Sequence, residues 1–125
     1  MAPAFEINQK RLPADASPGL RVADDLSNWG IVVGPQVALP ARLDDLVVTL
    51  YGNDQALDSV ASSGHIDDHF TSLATLARRL AQFGQVLEPG QPVITGAYAK
   101  TPFAVGTFRG EFSNAIGTVT VDIVS

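Results

Sequence analysis

Glu6 stands in Pro3-Ala4-Phe5-Glu6-Ile7, a carboxylate set inside a short apolar run. Drawing a carboxylate into such surroundings is costly unless a cation or several hydrogen-bond donors meet it. Glu6 is therefore a candidate ligand for a hard divalent cation, which would also need further oxygens, commonly other carboxylates and waters. On an edge strand the same glutamate simply faces solvent, and the residues alone leave both readings open. A second constellation is His65-Ile66-Asp67-Asp68-His69. Two histidines four residues apart share one helix face, and with the intervening acids they could bind a metal or a small acid. The zinc-protease pattern puts Glu directly after the first His, where this chain has Ile66. The plainer reading is a polar loop whose acids cap a helix. Ser62 and Ser63 beside His65 could pair as nucleophile and base, or be solvated loop. No G-x-S-x-G elbow, phosphate loop or dinucleotide-binding glycine pattern is present.

The elements that must position these residues are mostly strands. Residues 3–8 read as a short strand, and the breaker-rich stretch 13–19 as a loop. Arg21 to Asn28 is polar and mixed. Gly30-Ile31-Val32-Val33-Gly34 is an apolar run bracketed by glycines, as in a buried strand. Leu46 to Tyr51 is strongly β-prone. The turn residues Gly52-Asn53-Asp54 return the chain as Gln55–Ser62, giving a hairpin. Residues 69–83 carry the one main helix. Leu73, Leu76, Ala77 and Leu80 recur at helical spacing, with Phe83 extending the stripe, and that stripe is expected to be core. Asp67 and Asp68 favour the helix start, Arg78 and Arg79 its end, and Gly84 closes it. Strands are expected at Pro92–Thr95, Gly106–Phe112 and Gly117–Val124. The fold class is α+β and mostly β, with residues 1–125 forming a single domain.

Composition narrows the functions. The 125 residues suffice for one core, and a hydrophobic content of 46 % leaves either a well-filled interior or faces that expect a partner. Eight Lys and Arg oppose thirteen Asp and Glu, a net charge of −5. The basic residues are scattered, with no phosphate-tracking stripe, so nucleic acid is not an expected partner. Absence of cysteine excludes disulfides and thiolate chemistry. The start, Met-Ala-Pro-Ala-Phe-Glu, has no basic head followed by an apolar segment, and no apolar run is long enough for a membrane. A soluble cytoplasmic protein with no membrane partner is expected.

Six motifs then occur in order: Pro3-Ala4-Phe5-Glu6-Ile7, Val22-Ala23-Asp24-Asp25-Leu26-Ser27, Gly30-Ile31-Val32-Val33-Gly34, Leu76-Ala77, Leu87-Glu88-Pro89-Gly90 and Val93-Ile94-Thr95-Gly96-Ala97. Together they resemble the later half of the 2-keto-4-pentenoate hydratase and 4-oxalocrotonate decarboxylase family, within the fumarylacetoacetate hydrolase superfamily. The resemblance runs from about Ala2 to the C-terminus. It implies a mixed β-roll of the C-terminal type of that superfamily, with one packed helix. It also implies a lyase site, dependent on Mg²⁺ or Mn²⁺, for small 2-oxo or 2-hydroxydienoate acids from aromatic-compound breakdown. Glu6 matches the family's third metal-binding glutamate. Asp25 and Ser27 fall on its D-N-A-S element near the substrate, and Thr95 on the hydroxyl position of its T-G-A loop at the substrate's carboxylate end.

The departures from the family are as informative. Its Glu-x-Glu pair and assisting lysine belong to a first half that this sequence does not contain, and no Glu-x-Glu occurs anywhere in the chain. Asp25 replaces the usual Asn, Trp29 adds bulk before Gly30, and Gln91 and Thr107 stand where aspartates usually follow glycine. The chain is therefore expected to be inactive alone. Either a partner polypeptide or an upstream segment completes it, or it is a non-catalytic remnant or interaction subunit that keeps the fold. Half of a roll leaves uncovered edges, so a homo-oligomer or a complementing subunit is expected.

Overall fold

The β-branched and aromatic run Val47-Val48-Thr49-Leu50-Tyr51 builds the central strand of the larger of two sheets. The computed structural model describes residues 1–66 and 68–125. Along the chain the elements are β1 (Ala4–Asn8), α1 (Pro18–Ala23), β2 (Asn28–Val33), β3 (Val47–Gly52), β4 (Gln55–Ala61), α2 (His69–Ala81), β5 (Gly106–Phe112) and β6 (Gly117–Ile123). Strands β1 and β2 form a two-stranded sheet; the other four lie in the order β4-β3-β5-β6. Every pairing is antiparallel. The chain is thus mostly β, with two antiparallel sheets and one main helix.

Turn chemistry sets the registers. Asn53 and Asp54 have φ of 47° and 64°, the two successive positive angles of a tight hairpin turn, which Asn and Asp tolerate through their short polar side chains. The Asn53 side chain then accepts a hydrogen bond from the Thr107 backbone N–H at 3.0 Å, tying the β3–β4 turn to the start of β5. A register shift between Leu50 and Tyr51 marks a bulge in the hairpin.

With this register Val48 and Leu50 share a face with Gly110 and Phe112 of β5 and Val119 of β6. That face is the interior: Leu46, Val48, Leu50, Ile116 and Val119 are the buried hydrophobic residues. The small sheet closes on it. A methyl group built on Gly34 would lie 2.8 Å from Pro3 Cγ and 3.0 Å from the Thr118 carbonyl oxygen, so the residue just after β2 lies against β6 with no room for a side chain. Phe5 reaches across to Gly110.

Three expectations need correction. Residues 92–95 belong to no strand; Pro92 lacks a donor, and among the described residues no neighbour pairs with this segment. The stretch from Pro18 to Ala23, read as loop and polar segment, is a short helix. Ser17 caps it by accepting the Leu20 N–H at 3.2 Å, and Pro18 opens its first turn. The apolar stripe of α2 is not core. No residue of this helix is buried, and Phe70, Leu73 and Leu76 are 52 %, 36 % and 38 % exposed. Helical periodicity specified an apolar face, but the sheet does not cover it. Phe70 and Leu73 instead face an open cavity.

Candidate functional site

A cavity of about 500 Å³ lies over the interior face of the large sheet. Leu50, Phe108 and Phe112 are on its floor; β1, the first turns of α2 and the irregular segment 93–104 are its walls. Its lining is largely aliphatic and aromatic, with a few polar groups, among them Glu6, His69, Thr95, Tyr98 and Lys100. An apolar hollow with a small number of polar groups is the usual form of a small-molecule site.

The polar groups converge where α2 begins. Asp68 has extended backbone and its side chain accepts from the Phe70 N–H at 2.8 Å and the Thr71 hydroxyl at 2.9 Å. The Thr71 hydroxyl, then the Phe70 amide, hold the Asp68 carboxyl below its ordinary range, because both stabilise the charged form. This cap fixes His69 as the first helical residue. His69 Nδ1 lies 2.7 Å from Thr95 Oγ1, and its Nε2 lies 2.7 Å from the Tyr98 hydroxyl. His65 precedes the helix, and its Nε2–H donates to the Ala97 carbonyl oxygen at 2.9 Å. Both imidazoles lie beside the Tyr98 ring, with centroids 5.9 and 5.8 Å away. The two histidines thus dock the 95–98 loop. Burial pushes the Tyr98 phenol above its usual range, so the hydroxyl keeps its proton at neutral pH.

Glu6 and Thr95 border the same cavity although 89 positions separate them in the chain. Glu6 is nonetheless exposed, and its carboxylate accepts from Asn28 Nδ2 at 3.0 Å. The edge strand turns Glu6 outward opposite Ile31, so the desolvation cost anticipated from its apolar neighbours does not arise. Asp25 and Ser27 are not among the lining residues. They belong to a turn, Asp25–Ser27, whose three residues all have positive φ, at 54°, 53° and 71°. Arg11 clamps that turn through the Asp24 carboxylate at 3.0 Å, the Asp24 carbonyl at 2.7 Å and the Asn28 carbonyl at 3.0 Å.

A divalent cation would need several oxygen donors at this site. Glu6 has an amide for its neighbour rather than a second carboxylate. Among the described residues no group of three or more His, Cys, Asp or Glu could hold a metal ion. The chain's own residues at this site therefore do not fit a hard cation, which requires several oxygens. In the His65–His69 constellation, Asp67 lies outside the described residues, and both ring nitrogens of His69 are engaged by hydroxyls.

Tyr98 is the functional candidate that sequence reasoning missed. Its one signal was its place three residues after Thr95, in a segment otherwise of small residues. No protein-family model and no curated protein matches the chain. Among the described residues no helix is long and apolar enough to cross a membrane.

Proposed function

We propose that this chain is one part of a lyase of the 2-keto-4-pentenoate hydratase type, acting on small 2-oxo or 2-hydroxydienoate acids and completed by another polypeptide segment. The observation that supports this reading is that Glu6 and Thr95, from distant parts of the chain, both line the same cavity. An apolar hollow suits the hydrocarbon part of such an acid, and Lys100 supplies a cation for its polar end.

The missing carboxylate pair and lysine come from the complementing segment, with Glu6 as this chain's contribution to an Mg²⁺ or Mn²⁺ site. The two antiparallel sheets and the main helix are then half of a mixed β-roll, and the uncovered apolar residues are where the other half sits. Trp29 and Val33 of β2 are 68 % and 51 % exposed, on the same outward face. Exposed apolar groups of this size favour association with a further copy or a complementing subunit.

Complementation tests the reading. The chain alone should not hydrate 2-hydroxypenta-2,4-dienoate. Adding Mg²⁺ and a family polypeptide carrying the Glu-x-Glu pair and the lysine should restore turnover, and Glu6→Gln should remove it. Failure of complementation by a folded chain would leave the second reading, a non-catalytic remnant or interaction subunit. That reading is favoured by one observation, the hydrogen bond from Asn28 that already satisfies Glu6.

A further inference from the structure

A neutral imidazole has one N–H donor and one acceptor nitrogen. His69 is held between two hydroxyls, Thr95 Oγ1 and Tyr98 OH, each 2.7 Å from one ring nitrogen. One hydroxyl must therefore donate to the ring and the other accept from it. Whichever accepts keeps its own proton unspent, because neither hydroxyl has another hydrogen-bond partner among the described residues. When Nε2 carries the ring proton, Thr95 donates to Nδ1, and the Tyr98 O–H is the free donor. Thr95 and Tyr98 both line the cavity, and Lys100 is the one Lys or Arg among the described lining residues. Tyr98 cannot drift from this arrangement easily, because His65 grips the neighbouring Ala97 carbonyl at 2.9 Å.

We propose that Tyr98 is a ligand-contacting donor that recognises the ketone oxygen of a small 2-oxo acid, and that His69 is the positioning residue that frees its proton. The inference rests on the small-acid reading above but names residues outside the family's motifs. Lys100 meets the carboxylate, the hydrocarbon tail lies toward Phe108 and Phe112, and Thr95 anchors the far side of His69. An acid lacking the ketone loses its partner for Tyr98 and leaves a half-buried hydroxyl unpaired in the complex. The site therefore distinguishes 2-oxo acids from plain acids of equal length.

The test uses the full chain with EDTA, titrated with sodium 2-oxopentanoate or sodium pentanoate and followed by ¹⁵N signals of the histidine rings. The 2-oxo acid should bind roughly 3- to 10-fold more tightly than pentanoate, the range one net hydrogen bond gives. Its binding should raise the Nε2–H population of His69. Tyr98→Phe should remove the preference. His69→Gln, whose amide offers both a donor NH₂ and an acceptor oxygen, should retain it, whereas His69→Leu should not, each variant being checked for a dispersed amide spectrum. Equal binding of the two acids, a preference that survives Tyr98→Phe, or no binding of either would overturn the proposal. None of these results bears on the complementation assay, which depends on Mg²⁺ and the added polypeptide, so the two ideas fail separately.

Discussion

His69 Nε2 and the Tyr98 hydroxyl, 2.7 Å apart, join the first turn of the main helix to a segment with no regular structure. The contact spans 29 positions of sequence. Together with the Thr95 bond it gives the cavity wall a fixed polar point where backbone pairing supplies none. Irregular segments carry function when a more rigid element positions them, and here the Asp68-capped helix start is that element.

The Tyr98 environment has an alkaline signature. Burial raises the folded-state pKa of the phenol. The folded chain thus holds this proton more firmly than the unfolded chain does. The stability it contributes is present below the unfolded phenol value of about 10 and is lost as pH rises toward the folded value. Urea unfolding between pH 8 and 11 should show this decline, and Tyr98→Phe should flatten it.

The helix cap has an acid signature of opposite sign. The Asp68 carboxyl is held low by Thr71 and Phe70. Its stabilisation is present above the ordinary carboxylate range and is lost as pH falls through the lowered value. Circular dichroism at 222 nm should show helix loss on acidification, and Asp68→Ala should produce much of that loss already at pH 7.

The core and the helix stripe should respond differently to truncation. Leu50, on the cavity floor, is 4 % exposed, and Leu50→Ala should cost about 2–5 kcal/mol in urea unfolding. Leu76 is 38 % exposed, and Leu76→Ala should cost well under that, roughly 1 kcal/mol or less. Similar losses at both positions would mean that the stripe is covered in solution.

Contact between the sheets rests on Gly34. A Cβ there meets Pro3, the Thr118 carbonyl oxygen and Val119 within 3.2 Å. Gly34→Ala should destabilise the chain by about 1–3 kcal/mol, as overpacking does. A neutral result in denaturant titration would show that β1 and β2 do not pack on β6.

Association should follow the outward face of β2. Sedimentation of the wild-type chain at micromolar concentration should reveal self-association, and Val33→Lys, which places a charge beside Trp29 and Ile31, should weaken it. A single monomeric boundary for wild type would remove the case for an uncovered partner face.

Much of the fold was legible in short sequence patterns. Asn53-Asp54 after a β-prone run marked the hairpin, and the alternation Val119, Val121, Ile123 marked the last strand, because turn geometry and strand pleat are local properties. Leu73, Leu76 and Leu80 marked the helix for the same reason. What covers the helix was not local: no residue of the stripe read as core is buried, and Leu73 borders a cavity. Pro92 to Thr95 looked like a strand by composition, yet a strand exists only where a neighbour offers a ladder, and none pairs there. Ser17-Pro18 was a readable helix start, masked by the breaker-rich residues around it.

The sequence by itself determined which residues are turn formers, which stretches extend or coil, and that few polar groups are available for chemistry. Tertiary structure alone decided that Glu6 looks outward to Asn28, that Asp25 and Ser27 stay off the cavity, and that His69 meets Thr95 and Tyr98. The physical reason is range. Propensity and capping act over a few residues, whereas a hydrogen bond across 26 or 29 positions depends on how separate elements pack.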